Sequence, residues 1–282
     1  MDRDELCSKF IDTVSYDLYP VQEEALLAWF ESDSGVLVSA PTGMGKTLIA
    51  EAAIFEALHT GRRLYYTAPL IALAEQKFRE FQGIVEGWGF SPDDVGLLTG
   101  NRKVNPEAPV RIVVAEILLN HLLADDETLD DVSGVVMDEF HYFNDRERGI
   151  VWELSLVMLP RPVRLMLLSA TVGNALEFVS WLRSQHGREL KLVRSDERRV
   201  PLDFHWVGDK LLTEQLLAMV SEDDTDNRSP ALVFCFNRDA CWEVAERLKG
   251  LKFIDQDMRA KIESQIGTEM FSDGIGPKLR QM

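Results

Sequence analysis

The chain has 282 residues, enough for one large domain or two smaller ones with a buried core. Hydrophobic residues make up 46% and charged residues 27%, as in ordinary globular proteins, and no apolar run approaches the roughly 18 residues of a membrane span. The net charge of −17, from 30 basic and 47 acidic residues, argues against a broadly basic surface for binding nucleic acid.

Cysteine usage and the start of the chain indicate its compartment. Cys7, Cys235 and Cys241 lack the spacing of metal ligands and are odd in number, which suits a reducing environment. Residues 1–5 are charged and lead into no signal-like apolar core. We therefore expect a cytoplasmic protein without a membrane partner.

Strand-like and helix-like segments alternate along most of the chain, and the first clear helix opens at Pro20. Strands are predicted at residues 35–39, 63–68, 95–98, 110–114, 132–137, 163–168 and 190–193. Further helices are predicted at residues 48–58, 70–81, 115–123, 151–158 and 175–183. Repeated units of this kind predict an α/β fold, with a mostly parallel sheet covered by helices on both faces.

A polar stretch at residues 194–201 reads as an interdomain linker. We therefore expect a first domain over residues 1–197 and a second pattern over residues 198–282. The second pattern comprises strands at 202–207 and 231–236 and helices at 210–220, 239–249 and 254–270. Two strands cannot bury the faces of a whole α/β domain, so this part is either an incomplete domain or a small appendix.

Residues 40–47, Ala-Pro-Thr-Gly-Met-Gly-Lys-Thr, lie between a predicted buried strand and a helix. Gly43 and Gly45 allow backbone N–H groups to turn toward phosphate oxygens at a helix N-terminus. Lys46 would reach the β- and γ-phosphates, and the Thr47 hydroxyl would bind Mg²⁺. Ala40 stands where the general pattern has glycine; the alternative is a turn before a helix with a solvated lysine.

Asp138 and Glu139 end another predicted buried strand, on the edge of the sheet that would carry the phosphate loop. Asp138 would hold Mg²⁺, and Glu139 would orient the water that attacks the γ-phosphate. A lone acidic pair at a strand end is otherwise common.

Two weaker signals accompany these motifs. Gln22, near the start of the first amphipathic helix, could read an adenine edge through its amide, although most such glutamines only cap. Ser169 and Thr171 end a further strand and, taken alone, would be read as a helix cap.

Together these residues resemble a known family. Residues 19–22, 40–47, 138–141 and 169–171 are similar, in order and spacing, to motifs Q, I, II and III of superfamily 2 helicases of the DExH type. The longer strings at 138–153 and 168–178 resemble superkiller-type RNA helicases, and residues 231–241 resemble their motif IV. The resemblance implies a RecA-like P-loop domain followed by the beginning of a second RecA-like domain.

The resemblance also implies an activity, ATP-dependent RNA helicase, with ATP and Mg²⁺ as cofactors. Single-stranded RNA is the expected partner, with DNA as an alternative, and exonucleases or other RNA-processing proteins are further expected partners. The implied ATP-binding residues are Gln22, Thr42, Gly43, Met44, Gly45, Lys46 and Thr47; the catalytic residues are Glu139 and Lys46, and the metal ligands are Thr47 and Asp138. The implied coupling residues are His141, Ser169 and Thr171, and the nucleic-acid contacts are Pro69, Thr99, Gly100 and Glu116.

Two departures from the family bear on function. Ile71 stands where members often carry lysine, and Val114 and Ala115 stand where they carry threonines, so strand affinity is expected either to be weak or to reside in parts outside this sequence. No motif V or arginine-bearing motif VI precedes Met282, and such arginines are worth roughly 10³ to 10⁵ in rate in related systems. We therefore expect the chain to bind Mg-ATP, to turn it over poorly and not to unwind strands.

Two other functions stay open at this point. A DNA helicase would use the same phosphate-loop chemistry, and stimulation of ATP hydrolysis by RNA or by DNA would discriminate. A nucleotide-binding interaction module that never hydrolyses ATP is disfavoured by the presence of Lys46, Asp138 and Glu139 together.

Overall fold

A computed structural model describes residues 2–124, 129–146, 148–170, 174–220, 231–251 and 256–268. The chain divides into two compact units, Met1–Pro201 and Leu202–Met282. The division falls at the end of the polar stretch 194–201.

The described part of the first unit contains a sheet of eight strands. They are β1 (Gly35–Ser39), β2 (Arg63–Ala68), β3 (Val95–Leu98), β4 (Lys103–Val104), β5 (Val110–Val114), β6 (Val132–Met137), β7 (Arg164–Ser169) and β8 (Lys191–Arg194). Their order is β4-β3-β5-β2-β6-β7-β1-β8, and all neighbours are parallel except the β3–β4 pair. The predicted mostly parallel sheet is confirmed; β4 was not predicted because a two-residue strand has no periodicity.

Seven α-helices cover the sheet in the described part of this unit. They are α1 (Arg3–Thr13), α2 (Pro20–Glu31), α3 (Lys46–Thr60), α4 (Ile71–Gly87), α5 (Ala115–Leu123), α6 (Gly149–Met158) and α7 (Ala175–His186); Pro92–Asp94 and Phe140–Asn144 form short 3-10 helices. Successive strand residues face opposite layers: Val36 and Val38 pack with α1 to α4, and Leu37 packs with α5 to α7. Both faces of the sheet are therefore buried, which explains the continuous apolar strands.

An ion pair buried in the core joins three elements that are distant in sequence. Arg164 of β7 donates a hydrogen bond to Glu56 of α3, and the Nε1 of Trp29 in α2 donates to the same carboxylate at 2.8 Å. The Arg164 guanidinium lies 4.0 Å from the centroid of the Trp29 ring and also donates to the Trp29 carbonyl at 3.0 Å. The charges are paired and hydrogen-bonded, as buried charges must be.

The described part of the second unit contains α8 (Leu212–Met219), α9 (Arg238–Leu248) and α10 (Gln256–Thr268). The predicted strands at 202–207 and 231–236 are wrong, because neither segment pairs with another strand in the part of the unit that is described. Phe204, Trp206 and Phe234 in these segments are 90%, 96% and 89% exposed. An apolar segment becomes a strand only beside a backbone that satisfies its N–H and C=O groups.

None of the helices in the described ranges combines the length and the apolar character that crossing a membrane requires.

Candidate nucleotide-binding site

Three neighbouring strands, in the order β6-β7-β1, end at one place on the carboxyl edge of the sheet. The loop after β1 carries residues 40–47, β6 leads into Asp138 and Glu139, and β7 ends at Ser169. The Ala40 N–H donates to the Ser169 carbonyl at 3.1 Å, and Ser39 lies beside Ser169 in the register of the sheet. The fold therefore brings three of the predicted motifs together where ligands bind in open α/β sheets.

The phosphate loop ends in an unusual backbone conformation at Gly45. This residue has φ 68° and ψ 36°, in the left-handed region, and caps the start of α3. A Cβ atom at Gly45 would lie 2.3 Å from Nε2 of Gln22. Both the conformation and the close contact require glycine. The first backbone N–H groups of α3 can then face a phosphate.

Lys46 folds back onto its own loop. Its Nζ donates to the carbonyls of Ala40 at 2.8 Å and Pro41 at 3.1 Å. Burial lowers the pKa of Lys46, and the carboxylates of Glu139 and Asp138 oppose that shift. The ammonium is thus held in electrostatic reach of both acidic residues.

Gln22 joins the start of α2 to the phosphate loop. Its side chain is buried; Oε1 accepts from the Tyr19 N–H at 2.9 Å, and Nε2 donates to the Gly45 carbonyl at 3.1 Å. One amide hydrogen of Gln22 is not used by these two bonds, since a glutamine amide has two donors. Adenine recognition by Gln22 stays a prediction. The bond from Gln22 to the Gly45 carbonyl was not predicted from the sequence, which indicated only helix capping as the alternative.

Asp138 is fixed on three sides. Its N–H donates to the Thr67 carbonyl at 3.0 Å, its Oδ1 accepts from the Glu139 N–H at 2.9 Å, and its Oδ2 accepts from the Tyr66 hydroxyl. Burial, followed by the Asp138 charge, raises the pKa of Tyr66 well above its usual range, so this phenol is a neutral donor. Sequence reasoning missed Tyr66 because it lies mid-strand in β2.

Glu139 has a strained backbone and an unsatisfied side chain. Its φ of 51° and ψ of 43° lie in the left-handed region, which side chains other than glycine rarely adopt. Its buried Oε2 lies 3.3 Å from Nδ1 of His141 but accepts no hydrogen bond from any residue the structure describes. Strain and an orphaned oxygen in one residue point to a functional role.

Two of the predicted coupling residues, Ser169 and His141, lie near Asp138 and Glu139. Ser169 is fully buried, and its Oγ has no hydrogen-bond partner among the described residues, although its carbonyl accepts from the loop. The His141 side chain is 42% exposed, and its ring is tilted by 35° to the Tyr142 ring with the centroids 5.0 Å apart. The third predicted coupling residue, Thr171, lies outside the described residues.

Thr47 has a partner that the sequence did not indicate. Nζ of Lys77, on α4, donates to Oγ1 of Thr47 at 2.8 Å and to Oε2 of Glu80 at 2.9 Å. Glu51, one turn further along α3 from Thr47, has its pKa raised to about 7 by burial and by Glu80, against the lowering effect of Lys77. The hydroxyl predicted to bind Mg²⁺ therefore contacts Lys77, which in turn lies close to Glu80 and Glu51.

The predicted nucleic-acid contacts follow the next three strands of the same edge, in the order β3-β5-β2. Gly100 and Glu116 are exposed, whereas Thr99 and Pro69 are buried. Thr99 forms a tight turn, accepting from the Arg102 N–H at its Oγ1 over 3.2 Å. The Pro69 carbonyl accepts from Nη1 of Arg148, a residue that sequence reasoning missed, at 3.1 Å.

The donors present suit a magnesium ion. Among the described residues, no three His, Cys, Asp or Glu side chains converge as a metal-binding group. Mg²⁺ does not need such a cage, because it uses one or two carboxylates with hydroxyl, water and phosphate oxygens. Thr47 and Asp138 offer one hydroxyl and one carboxylate for such an ion.

The chain matches a family profile and is similar to several helicases. The profile of the family described as "DEAD/DEAH box helicase" matches residues 19–179. The chain is similar to the DExH-box ATP-dependent RNA helicase DExH15, chloroplastic, of Arabidopsis thaliana (43% identity over 73% of this chain and 17% of the relative). It is also similar to Superkiller complex protein 2 of Mus musculus (43%, covering 65% and 14%) and to ATP-dependent RNA helicase mtr4 of Schizosaccharomyces pombe (38%, covering 68% and 17%). It spans less than a quarter of the length of these relatives.

A solved structure supports the fold. The helicase Lhr of Mycobacterium smegmatis, bound to ssDNA and AMP-PNP, superposes with a TM-score of 0.65 over 93% of this chain and 40% of its own, at 24% identity. This likeness confirms the predicted RecA-like fold with its mostly parallel sheet; the beginning of a second RecA-like domain stays a prediction. From the profile match and the arrangement of its motifs, the chain belongs to the DEAD/DEAH box helicase family.

Proposed function

We propose that this chain binds and hydrolyses ATP as the nucleotide-binding part of an ATP-dependent RNA helicase. The observation that carries the proposal is the convergence of Lys46, Asp138 and Glu139 at the ends of β1 and β6, with both carboxylates acting on the half-buried ammonium. A lysine and two acids, one of them orphaned, are the groups that phosphoryl transfer to water requires.

The loop residues bind the phosphates. Thr42, Gly43, Met44 and Gly45 offer backbone around the start of α3, and Lys46 neutralises phosphate charge. Lys46 must first leave the carbonyls of Ala40 and Pro41, so phosphate replaces two neutral acceptors with a charged one. Gln22, already bonded to the loop, would place its remaining amide hydrogen toward adenine.

Asp138 and Thr47 would hold Mg²⁺, which neutralises charge on the phosphate oxygens when it is bound. Tyr66 keeps Asp138 in place by its hydrogen bond to Oδ2. Glu139 would accept a proton from the attacking water through the oxygen that no described residue occupies. His141 and Ser169, on either side, are the proposed links between nucleotide state and the rest of the motor.

RNA is the proposed nucleic-acid partner, because two similar proteins are named RNA helicases and a third is named for the superkiller complex. We place the strand along Pro69, Thr99, Gly100 and Glu116, the segments that follow β2, β3 and β5. DNA is the second candidate, favoured by the ssDNA bound to Lhr. Exonuclease or other RNA-processing partners and a cytoplasmic location also stay proposals.

Glu139→Gln tests the assignment of the base. The 282-residue chain should keep its affinity for a fluorescent ADP analogue, while its ATP turnover, expected to be low already, falls by about 10²-fold or more. Unchanged turnover would show that Glu139 is not the base. Stimulation of the wild-type rate by RNA, compared with DNA of the same sequence, decides between the two partners, and no turnover at all under either would favour a non-hydrolysing module.

A further inference from the structure

Lys77 lies on helix α4, which follows Pro69, and its side chain reaches Thr47 on helix α3. Its side chain is only 13% exposed. Its ammonium donates to Thr47 Oγ1 and Glu80 Oε2 and lies 5.7 Å from the centroid of the Phe81 ring. These contacts hold a largely buried charge at a defined position against α3.

The chemistry of the Thr47 oxygen makes this contact informative. An ammonium only donates, so Thr47 Oγ1 accepts from Lys77 through a lone pair. A divalent cation bound to Thr47 would use the same oxygen. Two cations bound to one oxygen repel each other strongly in a partly buried site, because the effective dielectric constant there is low.

A displaced ammonium has another carboxylate nearby. Lys77 already contacts Glu80, and Glu51 lies close enough for Lys77 and Glu80 to shift its pKa in opposite directions. An ammonium that left Thr47 would therefore move within a group of two acids rather than into solvent.

We propose that Lys77 is a positioning residue that competes with the divalent cation for the Thr47 hydroxyl and thereby links cation binding to helix α4. Helix α4 begins at Ile71, directly after Pro69 and Leu70. Loss of the Lys77–Thr47 bond removes one attachment of α4 to α3, within two turns of the segment proposed to contact the strand. The inference rests on the proposed function, since it takes Thr47 as a ligand of the cation.

The test is a Mg²⁺ titration of the binding of a fluorescent ADP analogue by the 282-residue chain. Lys77→Met removes the competing cation, so the Mg²⁺ midpoint should fall by about tenfold. Glu80→Gln removes a carboxylate that draws the ammonium away from Thr47, so its midpoint should rise. Arg79→Met is the matched control, because Arg79 is a neighbouring cation of α4 with a side chain 73% exposed, and its midpoint should stay within about twofold.

Hydrogen exchange supplies a readout that a purely structural role would not move. In the wild type and in Arg79→Met, Mg²⁺ added to the ADP complex should change exchange of the amides of residues 71–87. In Lys77→Met that change should be absent, whatever the variant's overall stability.

The outcomes separate the two claims. A wild-type chain that binds no nucleotide overturns both the proposed function and this inference. Normal nucleotide binding with the same Mg²⁺ midpoint in Lys77→Met and the wild type overturns the inference alone, as does an α4 exchange response that survives the substitution.

Discussion

The carboxyl edge of the sheet has two halves: the ends of β6, β7 and β1, and the ends of β3, β5 and β2. The two halves differ in how far their residues are exposed and in how their polar groups are held. The first half holds a half-buried lysine, an orphaned serine hydroxyl and a glutamate in a left-handed conformation. The second half presents exposed positions, among them Leu70, Gly100 and Glu116. One half is shaped for a small, highly charged ligand, whereas the other is an open surface that suits a long one.

Lys46→Ala is the substitution expected to affect the nucleotide half most. Loss of charged hydrogen bonds to phosphate should weaken ADP binding by about 10- to 100-fold. Binding of a labelled RNA without nucleotide should not change, because Lys46 lies on the other half of the edge. Titrations of both ligands measure the two affinities, and a parallel loss of both would mean that the two halves are one site.

Gly45→Ala should break the loop itself. The left-handed conformation and the contact with Gln22 together should cost about 1–3 kcal/mol of unfolding free energy, measured in urea. Gly61→Ala is the matched control, since Gly61 has a similar φ of 65° but no atom within 4 Å of its added Cβ. Its cost should be about 1 kcal/mol. Equal costs would mean that Gln22 simply moves aside.

Glu51 makes the stability of the nucleotide half depend on pH. The pKa of its carboxyl is raised from 4.5 to about 7 by burial and by Glu80, with Lys77 opposing. The pKa of Tyr16 is raised by burial and, to a smaller extent, by Glu51. The folded chain therefore keeps a proton that the unfolded chain loses, and unfolding free energy should fall as pH rises from about 4.5 to about 7, by at most about 1.4 kcal/mol per pH unit.

The measurement is the difference in unfolding free energy between the wild type and Glu51→Gln, taken between about pH 5 and pH 8. Because glutamine does not titrate, the unfolding free energy of Glu51→Gln should rise relative to that of the wild type as the pH rises. A constant difference would show that Glu51 is ionised throughout.

Arg148→Ala should have the smallest effect and tests whether the two halves communicate. Arg148 follows the acidic motif, yet it donates to the carbonyl of Pro69 on the nucleic-acid half. Its loss should leave ADP affinity unchanged and reduce the effect of nucleotide on RNA affinity by about two- to fivefold. Arg146→Ala, two residues earlier, is a control of equal charge.

The first half of the edge could be predicted because its signals are local. A strand, a glycine loop and a helix follow one another at residues 35–60, and their order alone indicates a phosphate site. The partners of these motifs could not be predicted in the same way. Lys77 is 30 residues from Thr47, and Tyr66 is 72 residues from Asp138, so only the folded sheet and its helices bring them together.

In the second unit the sequence predicted strands that the described part of the structure does not contain. Residues 202–207 and 231–236 have the composition of strands, and a local pattern cannot reveal whether a neighbouring strand exists to pair with them. Gln22 illustrates a third case, in which a capping pattern was recognised but the bond across to Gly45 was not.

The buried ion pair of Arg164 and Glu56 limits which substitutions this sequence can accept during evolution. Losing Glu56 leaves the buried Arg164 without a counter-ion, a loss of about 3–5 kcal/mol. Losing Arg164 leaves Glu56 with only Arg3, whose Nε lies 3.8 Å from Oε1 of Glu56, whereas exchanging both Arg164 and Glu56 for apolar residues of similar volume is often neutral. Substitution of only one of the two residues is therefore disfavoured. Lineages that abandon it must change a residue of α3 and a residue of β7 nearly together, with Trp29 losing its acceptor as they do.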